Sequence, residues 1–194
     1  MQTTIQLVLR NYKKEIPYMA EDRGGGNANH GFMNLKGKPE QAASIAEVQD
    51  NEHLKRAIIT INEINTPFFT VGCEKSLNQK DEIFWMRGFI EFAFNHRELV
   101  ADFRNYFEVF VDFNHFIWQR KFEQPVVYSW EIEGALFRKV NSDGFSVAVW
   151  ITTGDLSAAA ETQRVWESAV DIFGEYLAQC PRVQSPMIYT PQDA

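Results

Sequence analysis

The sequence predicts an α+β fold: an antiparallel sheet of four to five strands with helices packed on one face. Three observations carry this. Two strand-like runs followed by a long aromatic helix occur twice, over 68–119 and 126–179. Within each copy the apolar–polar alternation agrees between the two runs, so each pair can form a hairpin with one apolar face. Hydrophobic residues make up 45% and aromatic residues 14% of the 194 residues, enough large rings for a sizeable core. Two topologies fit this order. One is a tandem ββα repeat with an N-terminal strand at the sheet edge, the other an extended ferredoxin-like arrangement.

The N-terminal run 3–10 (TTIQLVLR) reads as a strand. Segment 11–39 is polar and irregular, with Gly24, Gly25, Gly26, Asn27, Asn29, Gly31 and Gly37. It reads as a loop longer than compact domains usually carry, either disordered or functional. The chain accordingly divides into an N-terminal strand and glycine-rich segment (1–43), an α+β core (44–180) and an irregular proline-containing tail (181–194).

A short helix is expected over 40–48. Asp50 then caps a second one, in which Leu54, Ala57, Ile58, Ile61 and Ile64 share a face until Pro67 stops it. With a turn at 78–81, the first hairpin places Phe69, Val71 and Cys73 on the inward face with Met86, Gly88, Ile90 and Phe92. Thr70, Gly72 and Glu74 then lie outward with Trp85, Arg87, Phe89 and Glu91. Asn95 caps a helix over 96–119, whose core stripe is Leu99, Phe103, Tyr106, Phe110, Phe113 and Ile117. A second stripe of Val100, Phe107, Val111 and Trp118 makes its apolar face unusually wide.

In the second hairpin Asp143-Gly144 is the turn signal. Tyr128, Trp130, Ile132, Phe145, Val147, Val149 and Ile151 point inward. Ser129, Glu131, Glu133, Ala148, Trp150 and Thr152 point outward. The parity slips near 137–139, which predicts a bulge there. Gly154 and Ser157 lead into a last helix over 158–179, with Trp166, Ala169, Phe173 and Leu177 inside.

The formal net charge is -7 and no cluster of five Lys or Arg occurs. Nucleic-acid and anionic-membrane partners are therefore not expected, since both need a basic footprint. Cys73 and Cys180 lack the spacing of a disulfide framework, and neither a signal peptide nor a membrane span is legible. The expectation is a soluble cytoplasmic protein.

The outward sheet face holds the first candidate site. Glu74, Glu91, Glu131 and Glu133 could bind a cation or act as an acid–base pair, although a solvated strand face carries glutamates ordinarily. Trp85, Arg87, Phe89 and Trp150 among them give the face the composition of a protein-binding surface. Cys73 with His96 or His115 could form a nucleophile–base pair, but its inward parity makes it a small core residue. His30, His53, His96 and His115 show no metal spacing, so neither metal nor cofactor is expected. The 24–31 stretch matches no phosphate-binding motif.

The leading expectation is a non-enzymatic binding module, such as an adaptor, inhibitor or immunity-like protein. It would bind a protein partner, or a second copy of itself, through Trp85, Arg87, Phe89, Glu131, Glu133 and Trp150. The alternative is an enzyme or small-ligand binder with a site at Glu74, Glu91, Glu131 and Glu133, closed by 11–39.

Overall fold

The structure, a computed structural model, describes residues 4–22, 28–181 and 186–193. Gly24, Gly25, Gly26 and Asn27 lie outside that set, and with them most of the glycine stretch. Along the chain run β1 (Thr4–Ile16), the two-residue strands β2 (Glu21–Asp22) and β3 (Ala28–Asn29), α1 (Glu52–Ile61), β4 (Phe68–Lys80) and β5 (Ile83–Phe94). They are followed by α2 (Arg97–Val100), α3 (Arg104–Trp118), β6 (Val126–Phe137), β7 (Ser142–Thr153) and α4 (Ala159–Gln179). Five strands form one sheet in the order β1-β6-β7-β5-β4, and β2 pairs with β3 apart from it.

The sheet is mixed, which corrects the antiparallel expectation. β1 runs parallel to β6, while the β4–β5, β5–β7 and β6–β7 pairs are antiparallel. Alternation in an isolated edge segment assigns faces but not direction. No short turn ties β1 to its neighbour, so the pattern suits either polarity.

The inward face closes around Trp130, whose ring lies 5.9 Å from Phe92, 5.7 Å from Phe113 and 5.8 Å from Phe173. Trp166, Ala169, Phe173 and Leu177 of α4 are buried, as their helical spacing predicts. Two glycines permit close approach. A Cβ on Gly88 would stand 2.6 Å from the Trp166 ring and 2.4 Å from the Glu74 carbonyl, and one on Gly174 would stand 2.9 Å from the Ala57 Cβ. The second contact lets α1 pack directly on α4.

Several local expectations need correction. The helix expected over 96–119 breaks at 101–103. There the Asp102 carboxylate accepts from the Arg104 backbone N–H at 3.0 Å, just ahead of α3, whose N-cap position is Phe103. Asn95 is buried instead, and its amide group exchanges two hydrogen bonds of 2.8 Å with the Tyr189 backbone. Asn51, not Asp50, caps α1, accepting from the Leu54 N–H at 2.8 Å. Residues 40–48 form two 3-10 turns instead of an α-helix. The second stripe of the aromatic helix is only partly covered: Val111 is 46% and Trp118 75% exposed.

Both hairpin turns also move. The first closes at Lys80↔Ile83, with Asp81 at φ +56°, and the second at Phe137↔Ser142, with Asn141 at φ +46°. Asp143-Gly144 therefore lies within β7, and no bulge occurs at 137–139. Both turns shift the pairing by an even number of residues, so the predicted faces survive. Thr70 and Phe69 are the exceptions, because a register shift at Val71 turns Thr70 inward opposite Phe92 and Phe69 outward opposite Ala93, against Phe32 and Tyr189.

Candidate ligand cleft on the outer face

The outer face is shaped by its two edge strands. β1 carries a register shift between Arg10 and Lys13, and β4 one between Thr70 and Gly72. Bulges bend strands and increase twist. In a flat sheet β1 and β4 would lie about 19 Å apart, four strand spacings. Here Tyr18, two residues beyond β1, donates its hydroxyl to the Val71 carbonyl in β4 at 2.8 Å. The chain beyond β1 therefore crosses the outer face towards the opposite edge strand.

The described residues of segment 11–39 are therefore not a free loop. Residues up to Ile16 extend β1, and Ile16 is fully buried. Phe32 then packs 6.0 Å from Phe69 and 5.1 Å from Tyr189, so the arm and the 186–193 tail form a small second core over one end of the outer face. Beneath the arm a cleft of about 1050 Å³ remains open, lined by Tyr18, Met33, Gly72, Glu74, Phe89, Glu91 and Glu133 among others.

The four predicted glutamates divide by what holds them. Glu74, Glu91 and Glu133 line the cleft. Glu91 is 6% exposed and ion-paired to Lys14, which also lies 3.5 Å from Glu133. Glu131 stands apart: its carboxylate accepts two Arg10 N–H bonds, of 2.6 and 3.1 Å, and the Trp150 indole N–H at 3.1 Å. Those three bonds leave it little capacity for a ligand. Glu74 is exposed and makes no ion pair among the described residues. Six carboxylates line the cleft (Glu15, Glu21, Glu47, Glu74, Glu91 and Glu133) against the three lysines Lys13, Lys14 and Lys75. This excess gives the cleft a negative field.

The predicted rings occupy the uncovered part of the same face. Phe89 and Trp150 pack at 4.7 Å, and the Arg87 guanidinium sits 4.0 Å over the Trp150 ring. Trp85, Phe89 and Trp150 are half-buried and Arg87 is exposed. Among the described residues, neither Trp150 nor Arg87 belongs to the lining of the cleft beneath the arm.

Cys73 also lines the cleft, but burial, with the Glu47 charge second, pushes its thiol up to about 12. A thiol so held is a poor nucleophile. His96 is buried and His115 exposed on α3. Among the described residues no three His, Cys, Asp or Glu side chains gather in a way that could hold a metal ion. No helix among the described residues is long and apolar enough to cross a membrane.

Sequence reasoning missed Arg10, Lys14, Tyr18 and the tail residue Tyr189. The alternation of Ile5, Leu7 and Leu9 stops at the polar Asn11 and Lys13, so no sequence signal carries the strand on to Lys14. Nothing in the sequence signals that Tyr18 reaches β4. Comparison with protein families, curated proteins and solved structures finds no match for this chain, so the site rests on its own geometry.

Proposed function

We propose that the protein is a binding protein whose ligand, positively charged, enters the cleft between the N-terminal arm and the outer sheet face. One observation carries this: Glu74, Glu91 and Glu133 converge in a single cleft of about 1050 Å³. Ligand sites commonly occupy about 300–1,000 Å³. The arm supplies a roof, Phe89 and Tyr18 supply apolar area, and the carboxylate excess selects a cation. Binding is better supported than catalysis. Lys14 neutralises Glu91 and approaches Glu133, so no pair of free carboxyls is poised for acid–base work.

Shift mapping on the isotope-labelled protein tests this, using amine, guanidine and carboxylate fragments. Amines and guanidines are expected to move the resonances of Tyr18, Gly72, Glu74 and Phe89, and Glu74→Gln is expected to weaken them. Preference for carboxylates, or no response from any cleft residue, overturns the proposal.

A second reading is a protein-binding module using the ring cluster beside the cleft. The half-exposed Phe89–Trp150–Arg87 stack favours it. Trp150→Ala with Arg87→Glu would then abolish binding to a partner or to a second copy, with the circular dichroism unchanged. Retained binding would refute it.

A further inference from the structure

We infer that the occupant of the cleft is an extended peptide with basic side chains, added as a sixth strand along the free edge of β4. The inference rests on the cleft reading and names its ligand class.

The lining of the cleft points to the strand edge. It includes six consecutive residues of β4, from Thr70 to Lys75. Successive strand residues point to opposite faces, so a cavity lying on one face would touch alternate residues only. Contact with all six means that the cleft runs along the edge itself. β4 is the last strand of the sheet. Tyr18 takes the Val71 carbonyl and the Asn62 side chain takes the Thr70 N–H. From Gly72 onward, one backbone group of β4 bonds outside the β4–β5 ladder among the described residues, and that bond is local: the Ser76 carbonyl accepts from the Asn78 side chain at 3.3 Å. An edge with unpaired N–H and C=O groups is a template for another strand.

The chemistry on either side of the edge sets the side chains. On the outer side, Glu74 projects without an ion pair, and Glu91 lies deeper in the same cleft. On the other side the cleft meets Ile45, Ala46 and Ile58. A strand laid beside β4 presents alternate residues to these two sides. The matching sequence alternates basic and apolar residues. Size agrees as well, since the cleft lies at the top of the range of about 300–1,000 Å³ usual for small molecules.

The probe is an acetylated, amidated hexapeptide of alternating lysine and valine, with a glutamate-for-lysine counterpart. Two further analogues carry N-methyl groups on the odd or the even amides. In an added strand only alternate amides face β4, so one methylated analogue is expected to lose about tenfold or more in affinity while the other binds like the parent. Exchange of the β4 amides that face the free edge between 72 and 75 should slow in the complex. The glutamate counterpart should bind at least about tenfold more weakly, and Glu74→Lys should weaken the lysine peptide similarly. Glu74 is exposed and makes no ion pair among the described residues, so that variant keeps the fold.

Equal binding by both methylated analogues and the parent would show that the backbone is not read. That overturns the added strand and leaves the cleft as a ligand site. A peptide that moves no cleft resonance, while amine fragments do, has the same meaning. Equal affinity for the glutamate counterpart overturns the basic specificity. Silence from both peptide and fragments overturns this inference together with the proposed function.

Discussion

The two faces of this sheet are closed by different physics. The inner face is covered by α1, α3 and α4 through interlocking rings, and Trp130, Tyr128, Phe113 and Phe173 have no solvent exposure. The outer face is covered, among the described residues, at one end, by an arm and a tail that join a small ring cluster of Phe32, Phe69 and Tyr189 to directional polar contacts. These are the Tyr18 hydroxyl on Val71, the Lys14–Glu91 pair, the Asn95 amide on Tyr189 and the Lys139–Asp193 pair. Rings fill space, because dispersion and burial reward contact in every direction. Polar contacts tether a cover at points and leave room between them. The open cleft lies on the tethered face for that reason.

This contrast is broken most directly at the centre of the inner face. Trp130→Ala is expected to cost about 3–5 kcal/mol, the usual range for emptying a buried ring site. Denaturant unfolding measures it. A loss below about 1 kcal/mol would mean that the inner face is not the main core.

The next effect belongs to the outer face. Lys14→Met leaves Glu91 buried beside Glu133 without its cation, and a cost of about 2–3 kcal/mol is expected, somewhat less than for a fully enclosed pair. The double variant Lys14→Met with Glu91→Gln should return most of that loss, because it removes the stranded charge too. Additive losses would show that the two side chains act independently.

The inner half of this comparison was legible in the sequence and the outer half was not. Parity assigned Trp130, Ile132, Val147 and Val149 to the core and Glu131, Glu133 and Trp150 to the other face, and all lie so. Those assignments survived two misplaced turns because each error was an even number of residues. The direction of β1 was not legible, since its neighbour β6 lies more than 100 residues away in sequence. The four glutamates were legible as a group, but not their division. That depends on Arg10 and Lys14 arriving from a segment that reads as loop. The arm's path and the tail's docking depend on single contacts between distant residues, such as Tyr18 with Val71, which leave no periodicity.

A smaller effect separates the ring cluster from the core. Trp150 resembles Trp130 chemically but is half-buried, with one indole hydrogen bond and two stacking partners. Trp150→Ala is expected to cost about 1–2 kcal/mol, well under the Trp130 value. Equal losses in the two variants would mean that the outer face is packed as tightly as the inner one.

The smallest expected effect tests whether the outer cover is held by charge. Asp193 anchors the tail: its carboxylate pairs with Lys139 and accepts from the Thr190 N–H at 2.5 Å and the Thr190 hydroxyl at 3.0 Å. Its backbone carbonyl accepts from Lys38 and, at 3.2 Å, from Asn34 of the arm. The Lys139 hydrogen bond, then the Thr190 N–H, holds this carboxyl below its ordinary value. A lowered folded-state value stabilises the fold above the unfolded value of about 3.9, and that contribution is lost as pH falls through the folded value. Acidification below about pH 4 should therefore loosen the tail first. The Ile188 and Tyr189 amide resonances would shift while the Trp130 indole stays fixed. Asp102 beside Arg104 and Glu15 beside Arg138 are lowered by the same kind of contact. Asp193→Asn isolates the tail: it should remove the acid transition at Tyr189 and leave that at Arg104. If Tyr189 and Trp130 instead move together with one midpoint in the unaltered protein, the two faces open as a single unit and the contrast between them fails.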